Sequence, residues 1–224
     1  MTSPNPNWKP GQKIASPVEK MIEIDPARLE TKEMYKLLIG CIVPRPIAFV
    51  STLDSQGRVN LAPFSFFNGV SSNPPCVAVS VSRKPTGEKK DTLINIEETK
   101  QFVVNSANDW LIEPLVHCGA AYPYGVSELT EVGLTALASI KVKPPRIKES
   151  TIHMECELYK LVAIGEGGPG SSTLIIGKII LMHIYSQAYS NGKILLEQLK
   201  PVARLGGYSY AHIGDLYNIP VPEI

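Results

Sequence analysis

Two long runs of strand-forming residues stand on either side of a glycine-rich break, and together they exclude a fold built mainly of helices. Residues 152–164 open with Ile152, Met154, Cys156 and Leu158 on one parity and His153, Glu155, Glu157 and Tyr159 on the other. That is the period of a strand with two unlike faces. Residues 172–185 are denser in Ile and Leu, as expected of a strand buried on both faces. Between them, Gly165-Glu166-Gly167-Gly168-Pro169-Gly170 reads as a flexible hairpin loop.

Shorter strand patterns come earlier. Residues 46–52 are apolar and β-branched, run into the turn signal Asp54-Ser55-Gln56-Gly57, and return through the alternating Val59-Asn60-Leu61-Ala62. This is a hairpin signature. Residues 76–83 alternate Val with small or polar side chains, and residues 101–105 (QFVVN) form another strand pattern. Residues 91–100 read as a short amphipathic helix capped by Asp91 or Thr92. Residues 107–119 read as helical, interrupted by Pro114, and residues 120–150 as loop-rich. Residues 1–20, with Pro4, Pro6, Pro10 and Pro17, form an extended arm ahead of a single domain over 21–224. Closely spaced strands with few helices predict a mainly β fold, an antiparallel barrel or sandwich. No G-x-G-x-x-G follows a strand, so a Rossmann dinucleotide site is not expected.

Composition narrows the function classes. Lys plus Arg number 22 against 21 Asp plus Glu, a formal net charge of +1, without the basic excess of a duplex-DNA binder. Apolar runs such as 174–176 and 179–182 are too short to span a bilayer. The start, MTSPNPNWKPGQ, has no basic stretch followed by an apolar core, so a cytoplasmic location is expected, with neither nucleic acid nor membrane as partner. Cys41, Cys76, Cys118 and Cys156 stand singly and read as small buried residues. His117, His153, His183 and His212 lack metal-ligand spacing and read as surface or hydrogen-bonded imidazoles, so no metal is expected. Ser65 and Cys118 have no evident partner base, which leaves hydrolase chemistry unsupported.

One cluster stands out. Pro44-Arg45-Pro46 precedes a strand that ends in Ser51-Thr52. Asn60-Leu61-Ala62-Pro63-Phe64-Ser65-Phe66-Phe67-Asn68 returns with aromatics and amides. Ser80, Ser82, Arg83 and Lys84 follow, and Lys89-Lys90-Asp91-Thr92 opens the helix. Hydroxyls and cations at strand ends and a helix N-terminus suit a phosphate. Phe64, Phe66 and Phe67 suit the flanks of a planar ring, but taken singly they read as core residues first.

Taken together, IVPRPIAFVSTLDSQGRVNLAPFSFFNGVSSNPPCVAVSVS and KKDTLINIEETKQFVVN resemble the flavin reductase-like family of FMN-binding split-barrel proteins. That family includes flavoredoxins and the small reductase components of two-component monooxygenases. Ser127-Glu128, Gly133-Leu134-Thr135, the E-C-x-L of Glu155–Leu158 and the LKPVARLGG of residues 199–207 extend the likeness over about residues 20–212. Leu129 and the loop over 117–125 depart from the pattern. The resemblance implies a split, Greek-key β-barrel and a homodimer with FMN, less readily FAD, near its interface. It implies flavin contacts from Arg45, Ser51 and Thr52, and a ring wrapped by Asn60, Ala62, Pro63, Phe64, Ser65 and Phe66. Phosphate-side contacts come from Lys90, Asp91 and Thr92, with Ser82, Arg204 and Tyr208 further contacts. Hydride transfer from NAD(P)H to the flavin N5 is the implied activity, with the chemistry carried by the flavin and no protein residue catalytic. A monooxygenase or redox protein is the implied macromolecular partner. A flavoredoxin-like electron carrier and a flavin storage module remain alternative readings.

Overall fold

The computed structural model describes residues 3–222. Residues 1–2 of the arm and 223–224 of the domain lie outside the described residues. Residues 3–25 carry no helix or strand, and regular structure begins with a 3-10 turn at Pro26–Arg28. Helix α1 (Thr31–Cys41) follows. The Glu33 carboxylate accepts the Glu30 N–H at 3.1 Å and so satisfies one free donor at the helix start. The apolar pattern does not announce α1, because Tyr35 and Leu38 are exposed and only Ile39 is buried.

The hairpin forms as its signature predicts. β1 (Ala48–Leu53) pairs antiparallel with β2 (Val59–Phe64), from Ala48↔Phe64 to Leu53↔Val59. In the turn, Asp54 accepts the N–H groups of Gln56 and Arg58 and the Arg58 Nε at 2.6 Å, while Gly57 takes φ +80°. A left-handed position of this kind suits glycine. β3 (Phe67–Ser72), β4 (Pro75–Ser82), helix α2 (Asp91–Thr99) and β5 (Gln101–Ser106) come next. Two short helices, α3 (Ile112–His117) and α4 (Glu128–Glu131), and a minor ladder of β6 (Ala136–Leu137) with β7 (Arg146–Ile147) lead to the long hairpin. Its strands are β8 (Ile152–Ile164) and β9 (Ser172–Ile184). Beyond it lie β10 (Tyr189–Ser190), β11 (Lys193–Ile194), α5 (Leu196–Leu199), β12 (Val202–Arg204) and β13 (Tyr210–His212). Among the described residues, no helix is long and apolar enough to cross a membrane.

The expected barrel is corrected by the sheet itself. Seven strands run in the order β2-β1-β5-β8-β9-β4-β3, and no pairing joins β2 to β3. The fold is mainly β with few helices, but the sheet is open. The outer edge of β2 shows why. The Leu61 N–H, on the side away from β1, donates to the Glu128 carboxylate at 2.9 Å. Pro63, two residues on and facing the same way, has no N–H to offer. A capped donor followed by a missing one ends a ladder.

Packing covers both faces of β1. Val50, Phe64, Val79, Leu93, Phe102 and Ile175 cluster between the sheet and α2. Ile47, Phe49, Leu61, Leu115, Leu129 and Ile147 form a second core on the opposite face. Strand β9 was expected to be buried on both faces. Instead Thr173, Ile175 and Gly177 are buried while their neighbours are partly open. Gly177 is required there, since a Cβ would run into the Phe102 ring and Cys156. On β8 the buried residues before the bulge are His153 and Glu155, the polar parity, because the 138–147 segment supplies hydrogen bonds on that face. Three cysteines are buried, but Cys41 is exposed.

Candidate functional site

Helix α2 starts without a side-chain cap. Lys90 is the extended N-cap residue, and Asp91 and Thr92 are the first helical residues rather than the expected caps. Both side chains are otherwise engaged. Lys84 Nζ donates to Asp91 Oδ1 at 3.0 Å, and Thr92 Oγ1 accepts Asn60 Nδ2 at 2.9 Å. The Leu93 and Ile94 N–H groups go to the Lys90 carbonyl. The Asp91 and Thr92 N–H groups have no acceptor among the described residues. Free N–H groups at a helix start attract an anion.

The cations around this start are unequal. Lys89 Nζ pairs with Glu97 at 2.5 Å and Lys84 with Asp91. Lys90 has no carboxylate partner among the described residues, and its Nζ lies 5.6 Å from the centroid of the Phe64 ring. Burial, with a smaller contribution from Lys84, holds its ammonium below the usual lysine range. A partly desolvated cation without a counter-ion is stabilised by any anion that reaches it. Nearby in sequence, Arg83 Nε is buried and unpartnered.

A neutral network fixes the helix to the sheet. Thr52 Oγ1 accepts Asn60 Nδ2 at 3.2 Å and Asn95 Nδ2 at 3.0 Å. Thr52, Asn60, Thr92 and Asn95 are all buried. Three of the expected flavin contacts therefore use their side chains to seat α2. Thr92 keeps a backbone N–H for a ligand.

The other expected residues fall into separate places. Arg45 is buried and acts as a clamp on carbonyls. Its Nη1 donates to Ile39 at 2.6 Å and Ile42 at 2.5 Å, its Nη2 to Leu205 at 2.9 Å, and its Nε to Ser65 Oγ at 3.3 Å. Burial, with Arg204 adding to it against the opposing effect of Tyr35, lowers its guanidinium from the usual arginine value. Arg45, an expected flavin contact, thus has most of its donors occupied at the end of α1. Ser51 Oγ donates to the Pro145 carbonyl on the opposite face of the sheet from α2. Phe64 is in the core, with Ala62, Pro63, Ser65 and Phe66 half-buried around the end of β2. Ser82 is half-buried opposite Ser172. Arg204 pairs through its backbone with Arg45, donates to the Gly207 carbonyl and stacks 4.4 Å from the Tyr210 ring. Tyr208 is 98% exposed and makes no side-chain hydrogen bond among the described residues.

Sequence reasoning missed Asn95 and the role of Glu128. Asn95 had a signal: Thr92, Asn95 and Thr99 recur at helical spacing beside Leu93 and Ile96. Glu128 had none. Its partner, the Leu61 N–H, is remote in sequence. Burial raises the Glu128 carboxyl despite that hydrogen bond.

An open antiparallel sheet with a cation-lined helix start defines a mainly β protein with an anion-attracting helix terminus. The chain belongs to the flavin reductase like domain family, whose pattern matches residues 39–199. The crystal structure of nitrilotriacetate monooxygenase component B from Bacillus cereus superposes with a TM-score of 0.86 at 38% identity, covering 90% of this chain and 100% of that one. Pseudomonas fluorescens 2-nitrobenzoate 2-nitroreductase NbaA gives a TM-score of 0.81 at 32% identity, covering 90% and 96%. The Bacillus subtilis (strain 168) protein YwrF is 40% identical over 199 residues, 88% of this chain and 97% of its own. Family membership makes this a flavin reductase-like flavoprotein.

Proposed function

We propose that the protein binds FMN with its phosphate at the start of α2 and works as a flavin reductase supplied by NADH or NADPH. The observation that carries this is Lys90, a half-buried ammonium without a carboxylate partner beside two free helix N–H groups. The bound flavin supplies the hydride-accepting centre, so the protein needs no acid–base pair of its own. Lys90 neutralises phosphate charge, the Asp91 and Thr92 N–H groups orient it, and the Thr52-Asn60-Asn95 network keeps the helix start in place. The half-buried Ala62, Pro63, Ser65 and Phe66 offer an edge and a face for a planar ring.

A homodimer is part of the same reading. Tyr159, Val162, Ile164 and Met182 leave apolar surface exposed on the long hairpin, which a second copy covers. The Bacillus cereus relative is a monooxygenase component, so electrons are passed on to a monooxygenase or another redox partner in the cytoplasm.

Flavin titration and NAD(P)H oxidation test the proposal. Lys90→Ala is expected to weaken FMN about tenfold, the size of one charge-assisted hydrogen bond. Unchanged affinity would remove α2 from the site. FMN binding without NADH or NADPH turnover would replace the reductase with an electron carrier.

A further inference from the structure

The face of the sheet turned away from α2 carries a second constellation that the flavin reading does not use. Adjacent residues of β1 separate the two faces. Thr52 meets Asn95 of α2, while Ser51 accepts Asn105 Nδ2 at 3.2 Å on the other side. Register then places His153 of β8 beside Asn105 and opposite His183 of β9. The two rings meet edge to face with centroids 6.1 Å apart.

Each imidazole is held by one nitrogen. Asn105 Oδ1 accepts the Ile147 N–H at 3.0 Å, which fixes it as the oxygen, so His153 Nδ1, 2.8 Å away, donates to it. His153 Nε2 is then a bare acceptor with no partner among the described residues, although the residue is only 6% exposed. His183 Nε2 stands 2.7 Å from Glu155 Oε1. Both rings line an open cavity of about 550 Å³.

The rest of the cavity wall sorts into two kinds. Trp110 and Tyr185 are each nearly half exposed and contribute flat apolar surface. Arg146 and Lys148 contribute positive charge. Arg146 spends Nε and Nη2 on the Ala138 carbonyl, leaving Nη1 free, and Lys148 has no ion-pair partner among the described residues. Glu149 also lines the wall, but its Oε2 accepts the Thr135 N–H at 3.1 Å. A ligand that satisfies this wall is planar, anionic and equipped with one hydrogen-bond donor.

We infer that this cavity is a binding site for a small aromatic carboxylate carrying a hydroxyl group. The carboxylate faces Arg146 and Lys148, the ring lies against Trp110 or Tyr185, and the hydroxyl donates to His153 Nε2. Burial, with smaller contributions from Arg146 and His183, holds the His153 ring down to about 4, so the acceptor stays neutral in mildly acidic solution. A phosphate does not match this wall as well, because it brings no flat face. The inference does not depend on flavin binding.

Calorimetric titration of the full chain with 2-, 3- and 4-hydroxybenzoate and with benzoate tests it, each in the presence and absence of excess FMN. At least one hydroxybenzoate is expected to bind about tenfold more tightly than benzoate, since a site with an unpaired polar group discriminates against a ligand that cannot pair with it. His153→Asn keeps a donor for Asn105 and deletes Nε2. It is expected to erase that preference and leave benzoate binding unchanged. If that variant does not fold, ¹⁵N-histidine spectra of the wild type decide: the His153 Nε2 resonance moves with the hydroxybenzoate and not with benzoate. The inference is overturned by no saturable binding at millimolar concentration, by equal affinities for benzoate and all three hydroxybenzoates, by a preference that survives in His153→Asn, by an unmoved Nε2 resonance, or by displacement of the ligand by FMN.

Discussion

The two faces of the sheet hold their buried polar groups in opposite ways. On the α2 side, neutral amides and hydroxyls pair among themselves apart from Asn95 Oδ1, which is buried without a partner among the described residues, and a cation is left over at the rim. On the other side, a charged group is fully paired inside, and a neutral acceptor is left over. Glu155 is completely buried, yet its carboxylate accepts the N–H groups of Ile140, Lys141 and Val142 as well as facing His183. The lesson is that each face satisfies most of its buried polar groups internally, and the two proposals place their ligands at groups left over, Lys90 on one face and His153 Nε2 on the other.

The largest effect that can break this comparison is Glu155→Ala. It leaves three loop N–H groups and His183 without their acceptor. The expected loss is about 3–5 kcal/mol, the usual result of removing one partner from a buried charged network. Urea unfolding measures it. A loss below about 1 kcal/mol would mean that the 138–147 segment is held by packing alone.

The same face is expected to weaken in acid. His153 ordinarily titrates near 6.5 but is held to about 4 by burial. Between these values the unfolded chain takes up a proton that the folded one refuses, so stability falls as pH falls. The displacement corresponds to on the order of 3 kcal/mol over that window. Glu155 acts in the same direction at lower pH. Burial alone would push its carboxyl up, but its N–H donors and His183 hold it below the usual range, so its stabilisation is lost as it protonates. His153→Asn should flatten the slope between pH 6.5 and 4. An identical slope in wild type and variant would show that His153 is not the group refusing the proton.

On the α2 face the corresponding test is Thr92→Val. Asn60 Nδ2 loses one of its two acceptors in a buried site, at an expected cost of about 1–2 kcal/mol. The backbone N–H of residue 92 remains, so FMN affinity should stay within about threefold. This separates Thr92 from Lys90, whose replacement should weaken FMN and cost little stability. A Thr92→Val protein that is fully stable but no longer binds FMN would place the hydroxyl on the ligand instead.

What was legible in the sequence follows the same division. The α2 side was readable because Lys90, Asp91 and Thr92 are consecutive and the β1–β2 hairpin is local. The long hairpin was readable from its alternation, though not which parity would be buried. That parity depends on the 138–147 segment supplying donors to Glu155 and Asn105, and no periodicity encodes such a meeting. Arg45 was read as a flavin contact from its place in the family likeness. Its partners within the chain, the carbonyls of Ile39, Ile42 and Leu205, carry no side-chain signal at all. The open sheet escaped for a similar reason: Pro63 was visible, but the Glu128 cap that completes the edge was not.

The smallest expected effect sharpens the comparison most directly. Lys89 and Glu97 form an ion pair beside Lys90, with side chains 39% and 29% exposed. If neutral hydrogen bonds and packing hold α2, removing this pair should matter little. Lys89→Gln is therefore expected to cost about 0.5 kcal/mol or less, and the difference should vanish near 1 M salt, where charges are screened within about 3 Å. Unfolding of both proteins at low and high salt measures this. A loss above about 1 kcal/mol that persists in high salt would show α2 anchored by charge. The spare cation at Lys90 would then belong to the scaffold, and the contrast between a neutral face and a charged one would fall.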